Sequence, residues 1–235
     1  MKVISYSKLN EIIIHHNETD KLFIKSTYNT ESIQSIINEF EGFNWYFSKK
    51  SNFQEYSKRL SLNVSDKFAR IEIPEIKGFS VKASNQISIN EKFIIRAIDE
   101  YLQISNLTNF RFHGDFSIGN MIFTELECYI IDWEHSLSNL NLWGLDILNI
   151  YYESLFFSFH KNKLSEANKL SLIKVYKYLL EIFNNNGKQI ISLSNLIEIY
   201  RENNFIWGNS ISKLPVLKFN EKQILLIESI ERNNN

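Results

Sequence analysis

Residues 110–134 read FRFHGDFSIGNMIFTELECYIIDWE and contain the pattern H-x-D-x-x-x-x-N in His113, Asp115 and Asn120. A second acid, Asp132, follows at the end of an apolar run. Transfer of a phosphoryl group from a nucleotide needs one carboxylate that orients the attacking hydroxyl. It also needs an amide and a second carboxylate that hold magnesium on the phosphates. The spacing therefore indicates phosphoryl-transfer chemistry.

A β-hairpin is predicted within this stretch. Residues 121–123 and 128–131 are apolar and rich in strand-forming side chains, and the polar residues 124–127 between them form a four-residue turn. The hairpin would bring Asp132 back beside Asn120, and two neighbouring oxygen ligands suit a hard cation such as Mg²⁺. Asp115, on the loop before the first strand, is expected to face the same cleft.

With HGDFSIGN and IDWE at this separation, the chain resembles the aminoglycoside phosphotransferase and choline kinase group of small-molecule kinases. The resemblance implies that Asp115 is the catalytic base and that Asn120 and Asp132 bind Mg²⁺. It implies a supporting role in the loop for His113. It also implies that Asp146, near the start of a predicted helix over 147–159, braces the catalytic loop, and an N-cap role for Asp146 is compatible with this.

The same resemblance implies an α+β, protein-kinase-like fold with two lobes. Residues 1–78 would form a small N-lobe with a truncated β-sheet, comprising a β-hairpin, a helix, strands and a hinge. Residues 79–235 would form a mainly helical C-lobe that carries the catalytic loop and the metal-binding hairpin. The hinge is placed at residues 72–78, where backbone groups would bind adenine, although Pro74 has no N–H to donate.

A lysine for the nucleotide phosphates is expected at the end of the second strand. Residues 11–15 and 21–25 are strand-like and flank a polar turn, and the second strand ends in Leu-Phe-Ile-Lys. The resemblance implies that Lys25 binds the nucleotide phosphates, although a solvated lysine at a strand end would look the same.

The helix predicted after this strand begins with Thr30 or Asn29 as its N-cap and should supply a glutamate that pairs with Lys25. Its apolar residues recur at helical spacing. Glu39 is preferred because it precedes an apolar residue, Phe43, by four positions. Glu41 also flanks the apolar face and remains open, and either side chain could be a solvated helix charge.

No glycine precedes Glu11 in the sequence. A glycine-rich loop over the phosphates is therefore expected to be absent or replaced by residues 5–10, with Ser5 and Ser7 as possible donors. This feature supports an alternative function, in which the chain is a pseudokinase or a binding module without transfer activity.

A metal-dependent hydrolase is a third, less favoured interpretation. His113, Asp115, Asp132 and His135 have spacings that occur in metal sites, but such spacings are also common by chance.

The acceptor is expected to bind between the catalytic loop and the C-terminal helices. The resemblance favours a small acceptor because Trp133 and Glu134 stand where protein kinases have Phe-Gly. Aromatic rings with carboxylates suit a cationic acceptor such as choline or an aminoglycoside, and they also suit a sugar. Most aromatic residues are nevertheless expected to be core. Further candidate linings are Trp143, Tyr151, Tyr152, Glu153 and Trp207.

Four further helices are predicted around and beyond these motifs. Residues 90–105 carry apolar side chains at helical spacing, and Ser165 is expected to cap a helix that runs to about residue 183. Further helices are predicted over 192–202 and 220–230.

Composition excludes several classes of protein. The 235 residues carry a net charge of −1, which offers no electrostatic case for a nucleic-acid partner. No apolar run is long enough to cross a bilayer, the first residues lack a secretion signal, and a single Cys128 cannot form an internal disulfide. We therefore expect a cytoplasmic kinase that uses ATP and Mg²⁺ to phosphorylate a hydroxyl of a sugar, an aminoglycoside or an amino alcohol, in an oligomeric state that stays open.

Overall fold

The structure is a computed structural model that describes residues 2–7 (backbone only), 11–82, 85, 87–106, 109–136, 143–160, 165–187, 225, 228, 229 and 232. A five-stranded antiparallel sheet comes first in the chain, in the spatial order β1-β2-β3-β5-β4. The strands are β1 (Lys2–Ser7), β2 (Ile12–Asn17), β3 (Leu22–Thr27), β4 (Ser61–Ser65) and β5 (Phe68–Pro74).

The predicted hairpin of β2 and β3 is confirmed. Its turn is closed by Asn17, whose amide donates to Asp20 at 2.6 Å, while Lys21 adopts the left-handed conformation that such a turn needs. In β5 every second residue is buried, which places Ala69 and Ile71 in the core and their neighbours on the other face.

Strand β1 was not foreseen. Ser5 and Ser7, which sequence reasoning placed in a loop over phosphates, lie in β1 and pair with β2. Residues 8–10 of the same expected loop lie outside the described residues.

Helix α1 (Ile33–Ser48) follows a short 3-10 helix at Thr30–Ser32. Asn29 starts this segment as predicted, because its side chain accepts from the N–H of Glu31 at 2.9 Å. The apolar face of α1 is buried on β5, with Ile36 and Phe43 almost wholly excluded from solvent.

The remaining elements are α2 (Gln54–Arg59), α3 (Ile87–Ile104), β6 (Met121–Phe123), β7 (Cys128–Ile130), α4 (Leu145–His160) and α5 (Glu166–Asn185). The β6–β7 hairpin and its four-residue turn are confirmed, with the N–H of Thr124 bonded to the carbonyl of Glu127 at 2.9 Å. Helix α5 is capped by Ser165 as predicted.

Two predictions about helices need comment. Asp146 is the second residue of α4, so the prediction that it is the N-cap was wrong. The helices predicted over 192–202 and 220–230 fall almost entirely outside the described residues.

One hydrophobic core joins the sheet, α1, the β6–β7 hairpin and the helices α3, α4 and α5. Among the described helices none has the length and apolar character needed to cross a membrane.

Candidate functional site

Hydrogen bonds to Asp146 of α4 hold the loop that carries His113, Gly114 and Asp115. The carboxylate of Asp146 accepts from the N–H of His113 at 2.8 Å, from the N–H of Gly114 at 3.1 Å and from the hydroxyl of Tyr101 at 2.9 Å. Burial raises the pKa of Asp146 to about 7, against the opposing effect of these donors. Asp146 therefore lies where a brace for the loop would have to be.

Gly114 is required by the path of this loop. Its φ of +87° belongs to the left-handed region, and a Cβ atom here would lie 2.6 Å from the carbonyl oxygen of His135. The close approach brings the segment after Asp132 against the loop that carries Asp115.

His113 is wholly buried and joins the two segments. Its Nε2 lies 2.9 Å from the carbonyl oxygen of Ile131, so Nε2 carries the hydrogen and donates, while Nδ1 accepts from the N–H of Asp115 at 3.2 Å. Burial lowers the pKa of His113 to about 4. The imidazole is therefore neutral, and both of its nitrogens are occupied by the backbone.

Asp115 and Asn120 are in direct contact. The amide of Asn120 donates to the Asp115 carboxylate at 3.0 Å and to the Asp115 carbonyl at 2.9 Å. Because the amide nitrogen faces Asp115, the amide oxygen of Asn120 points away from Asp115. Burial, with the charge of Asp132 adding to it, raises the pKa of Asp115. The carbonyl of Asn120 accepts from the N–H of Ile131 at 3.0 Å, so Asp132 follows directly across the hairpin.

Lys25 is surrounded by three carboxylates. Its Nζ lies 2.6 Å from Asp132, 2.8 Å from Glu39 and 3.9 Å from Glu134. Burial by itself would lower the pKa of Lys25, but the neighbouring carboxylates, Asp132 first, outweigh it and raise the pKa. The lysine of β3 is therefore a charged side chain held at the end of the β6–β7 hairpin rather than a solvated strand end.

Glu39, and not Glu41, pairs with Lys25. The Glu39 side chain is only 1% exposed, and burial, which outweighs the opposing charge of Lys25, raises its pKa to about 8. Glu41 lies about 200° further around the helix and contacts Arg111 instead, at 2.8 Å.

Asp132 has an unusual backbone conformation. Its φ of +65° is uncommon for a residue with a side chain. Burial acts to raise its pKa, but the charge of Lys25 prevails and the pKa is lowered, which keeps the carboxylate ionised.

Oxygen atoms of Asp132, Glu39 and Glu134 all lie within 4.8 Å of one another. Such a set of carboxylates, with the amide oxygen of Asn120 across the hairpin, fits a hard divalent cation. His113 and His135 do not belong to this group, so the described residues offer no support for the hydrolase interpretation.

A cleft of about 450 Å³ opens between the sheet and the β6–β7 hairpin. Its walls are mainly apolar, and Lys25, Glu39 and Asp132 stand together in its lining as a charged group. Five residues of the predicted hinge also line it: Ile73, Pro74, Glu75, Ile76 and Gly78. The apolar walls are formed by Ile14, Phe23, Phe43, Ile73, Ile122 and Ile131.

Trp133 does not suit the expected role of a substrate contact. The side chain has no exposed surface, its Nε1 donates to the carbonyl of Ile130 at 3.2 Å, and its ring packs against His113. We therefore assign Trp133 to the core, where its ring supports His113.

The other side chains that were expected to line the acceptor site are either partly exposed or buried. Glu134 keeps 19% of its side chain exposed and binds His135 at 3.3 Å. Glu153 on α4 accepts from the N–H of Ile118 at 3.3 Å, and burial, with Asp115 nearby, raises its pKa to about 8. Trp143, Tyr151 and Tyr152 are buried, and Trp207 lies outside the described residues.

Sequence reasoning missed Arg111 and Ser136. Arg111 is 8% exposed and binds both Glu41 and Ser136, although it looked like an ordinary lead-in to the motif. The sequence signal that could have identified Arg111 was a positively charged residue two positions before His113, in an otherwise apolar run.

No family model and no curated protein matches the chain. A solved structure, "Amicoumacin kinase hAmiN in complex with AMP-PNP, Ca2+ and Ami", is similar with a TM-score of 0.50 and 9% sequence identity. The match covers 99% of this chain and 86% of that chain. At this identity the likeness shows the fold alone: the chain folds in a way similar to that kinase.

Proposed function

We propose that the protein is an ATP-dependent phosphotransferase related to the aminoglycoside phosphotransferases and choline kinases. Its acceptor would be a hydroxyl of a small molecule: a sugar, an aminoglycoside or an amino alcohol. The observation that carries the proposal is the position of Lys25, which binds Glu39 and Asp132 in an apolar cleft. Across the same hairpin lie Asp115 and Asn120, in contact with each other.

The nucleotide would occupy this cleft. Its base would contact the apolar walls beside residues 74–78, and its phosphates would bind Lys25. The proposal includes a division into two lobes at this hinge, residues 1–78 and 79–235. The AMP-PNP and Ca²⁺ of the similar kinase support a nucleotide and a divalent cation as the ligands to test first.

Asn120 and Asp132 would hold Mg²⁺, which when bound neutralises charge on the phosphate oxygens. The lowered pKa of Asp132 supports this role because a metal ligand must be ionised. Asp132 and Glu134 carry more negative charge than the single ammonium of Lys25 neutralises, and this excess attracts a cation.

Asp115 would act on the acceptor. As the acceptor oxygen bonds to the γ-phosphorus, its proton passes to the Asp115 carboxylate, and the bond from phosphorus to the β-phosphate oxygen breaks to release ADP. The raised pKa of Asp115 supports its role as a base near neutral pH. Neutral His113 and Asp146 would fix the loop, since both bond to its backbone.

A screen for ADP release tests the proposal. Wild-type protein would be incubated with ATP and Mg²⁺ over sugars, aminoglycosides and choline. We expect turnover with at least one acceptor, and Asp115→Asn should abolish it while leaving nucleotide binding largely intact. The matched control is Asp66→Asn, at an exposed position in the β4–β5 turn. Near-normal turnover in Asp115→Asn would refute the assignment of the base.

A pseudokinase or binding module is the second candidate function, because the sequence between β1 and β2, residues 8–11, contains no glycine. A thermal shift with ATP and Mg²⁺ separates the candidates, since a ligand that binds only the native state raises the melting temperature. Stabilisation without ADP release over the whole screen favours the binding module. No stabilisation at millimolar ATP would argue against nucleotide binding altogether.

A further inference from the structure

Helix α1 is anchored on two different sides by charged side chains. Glu39 faces the sheet and binds Lys25, and Glu41 faces the opposite way and binds Arg111. Arg111 precedes His113 by two residues, so this second anchor reaches the start of the catalytic loop. The helix thus connects the lysine of the cleft with the loop that carries Asp115.

Arg111 holds α1 by two routes. Its Nη2 donates to the Glu41 carboxylate at 2.8 Å, and its Nε donates to the hydroxyl of Ser136 at 3.1 Å. That hydroxyl in turn donates to the carbonyl of Asn38 at 2.8 Å. Arg111 and Ser136 are 8% and 1% exposed, so both bond to α1 from buried positions.

A glycine lets the helix approach closely at the same point. A Cβ atom on Gly42 would lie 2.4 Å from the Cβ of Trp133 and 2.9 Å from the hydroxyl of Ser136. Because Trp133 follows Asp132 directly, any shift of α1 here alters its distance from the proposed metal ligand.

We infer that Arg111, Glu41 and Ser136 form a clamp that keeps α1 in place against the catalytic segments. They would be positioning residues for the nucleotide. By fixing α1 they keep Glu39, and through it Lys25, at the correct distance from Asp132. The inference rests on the proposed function, because it assigns the clamp to the ATP site of that reaction.

The clamp should affect ATP binding more than the transfer step. The loop that carries Asp115 has its own anchor in Asp146, which a change at Glu41 leaves untouched. Lys25, by contrast, depends on α1 for one of its two closest carboxylates. Glu41 is half exposed, and its removal leaves the buried guanidinium of Arg111 without a carboxylate but still bonded to Ser136.

The test uses Glu41→Ala in the full-length chain, with ATP and Mg²⁺ as the probe. We expect the Kd and KM for ATP to rise about tenfold, the loss that corresponds to one charge-assisted hydrogen bond. The kcat should change much less than the Kd for ATP, and the melting temperature should fall because Arg111 loses its carboxylate. Glu31→Ala is the control, since Glu31 is an exposed acid of the same segment and should change nothing.

Gly42→Ala is a second variant that leaves every charge in place. Its added methyl group must move α1 away from Trp133, so the KM for ATP should again rise more than kcat falls. Wild-type Kd and KM in both Glu41→Ala and Gly42→Ala would overturn the clamp and leave the proposed function standing. Failure of the wild-type protein to bind ATP would overturn both.

Discussion

Acid should destabilise this protein through His113, whose side chain the fold holds neutral. The imidazole is wholly buried, and its pKa is about 4, against 6.5 for an ordinary histidine. In the unfolded chain the ring takes up a proton as the pH falls below 6.5. In the folded chain it does so only near pH 4. Stability from this residue is therefore fully present above pH 6.5 and is lost as the pH falls towards 4.

The size of the effect follows from the same two values. At about 1.4 kcal/mol for each pH unit, the interval from 6.5 to about 4 corresponds to a loss of about 3 kcal/mol. The ring is completely buried, so solvent screening does not reduce this figure. For a chain of this length such a loss would lower the melting temperature by roughly 6–12 °C.

His113→Gln is the informative variant. Glutamine can still donate to the carbonyl of Ile131 but cannot take up a proton at Nδ1. Unfolding free energies from urea titrations at pH 7, 6, 5 and 4 would be compared for the two proteins. We expect the wild type to lose about 3 kcal/mol relative to the variant over this range. His15→Gln, on β2, controls for the loss of a histidine as such.

Parallel curves for the wild type and His113→Gln between pH 7 and pH 4 would refute this reasoning. An NMR titration gives an independent answer. A His113 resonance that titrates near pH 6.5 in the folded protein would show that its nitrogens are not held by the backbone of Asp115 and Ile131.

Three further perturbations are predicted. Ser165→Ala removes the hydroxyl that accepts from the N–H of Asn168, and it should cost about 1 kcal/mol of unfolding free energy in urea titrations. Gly114→Ala puts a Cβ atom 2.6 Å from the carbonyl oxygen of His135, so kcat should fall at least tenfold with little change in ATP affinity, measured by steady-state kinetics and calorimetry. Burial raises the pKa of Cys128 to about 12, so iodoacetamide at pH 8 should modify this thiol in urea but not in the native protein, as read by mass spectrometry.

Sequence reasoning worked best where the signal was local. The β6–β7 hairpin, the capping of α5 by Ser165 and the start of the α1 segment at Asn29 each depend on neighbouring residues, and each was confirmed. Hydrogen bonds between nearby residues and alternating apolar side chains are set by short stretches of chain, and the prediction needs no knowledge of the rest of the fold.

The failures have a common cause. Trp133 was expected to contact substrate, but whether an aromatic ring faces a cleft or the core depends on what packs against it. Arg111 was overlooked because its partners, Glu41 and Ser136, are 70 and 25 residues away. The preference for Glu39 over Glu41 was confirmed, but Glu41 had stayed open because the choice depends on which side of α1 faces the sheet.

The sequence by itself determined which chemical groups are available and which of them are close along the chain. The spacing of His113, Asp115 and Asn120, with a hairpin leading to Asp132, already placed an acid, an amide and a second acid together. Only the tertiary structure brought Lys25 to within 2.6 Å of Asp132, 107 residues away, and turned Glu39 rather than Glu41 towards it. The physical reason is that local geometry follows from backbone and capping preferences, whereas these ion pairs exist only after packing has set the position and rotation of α1.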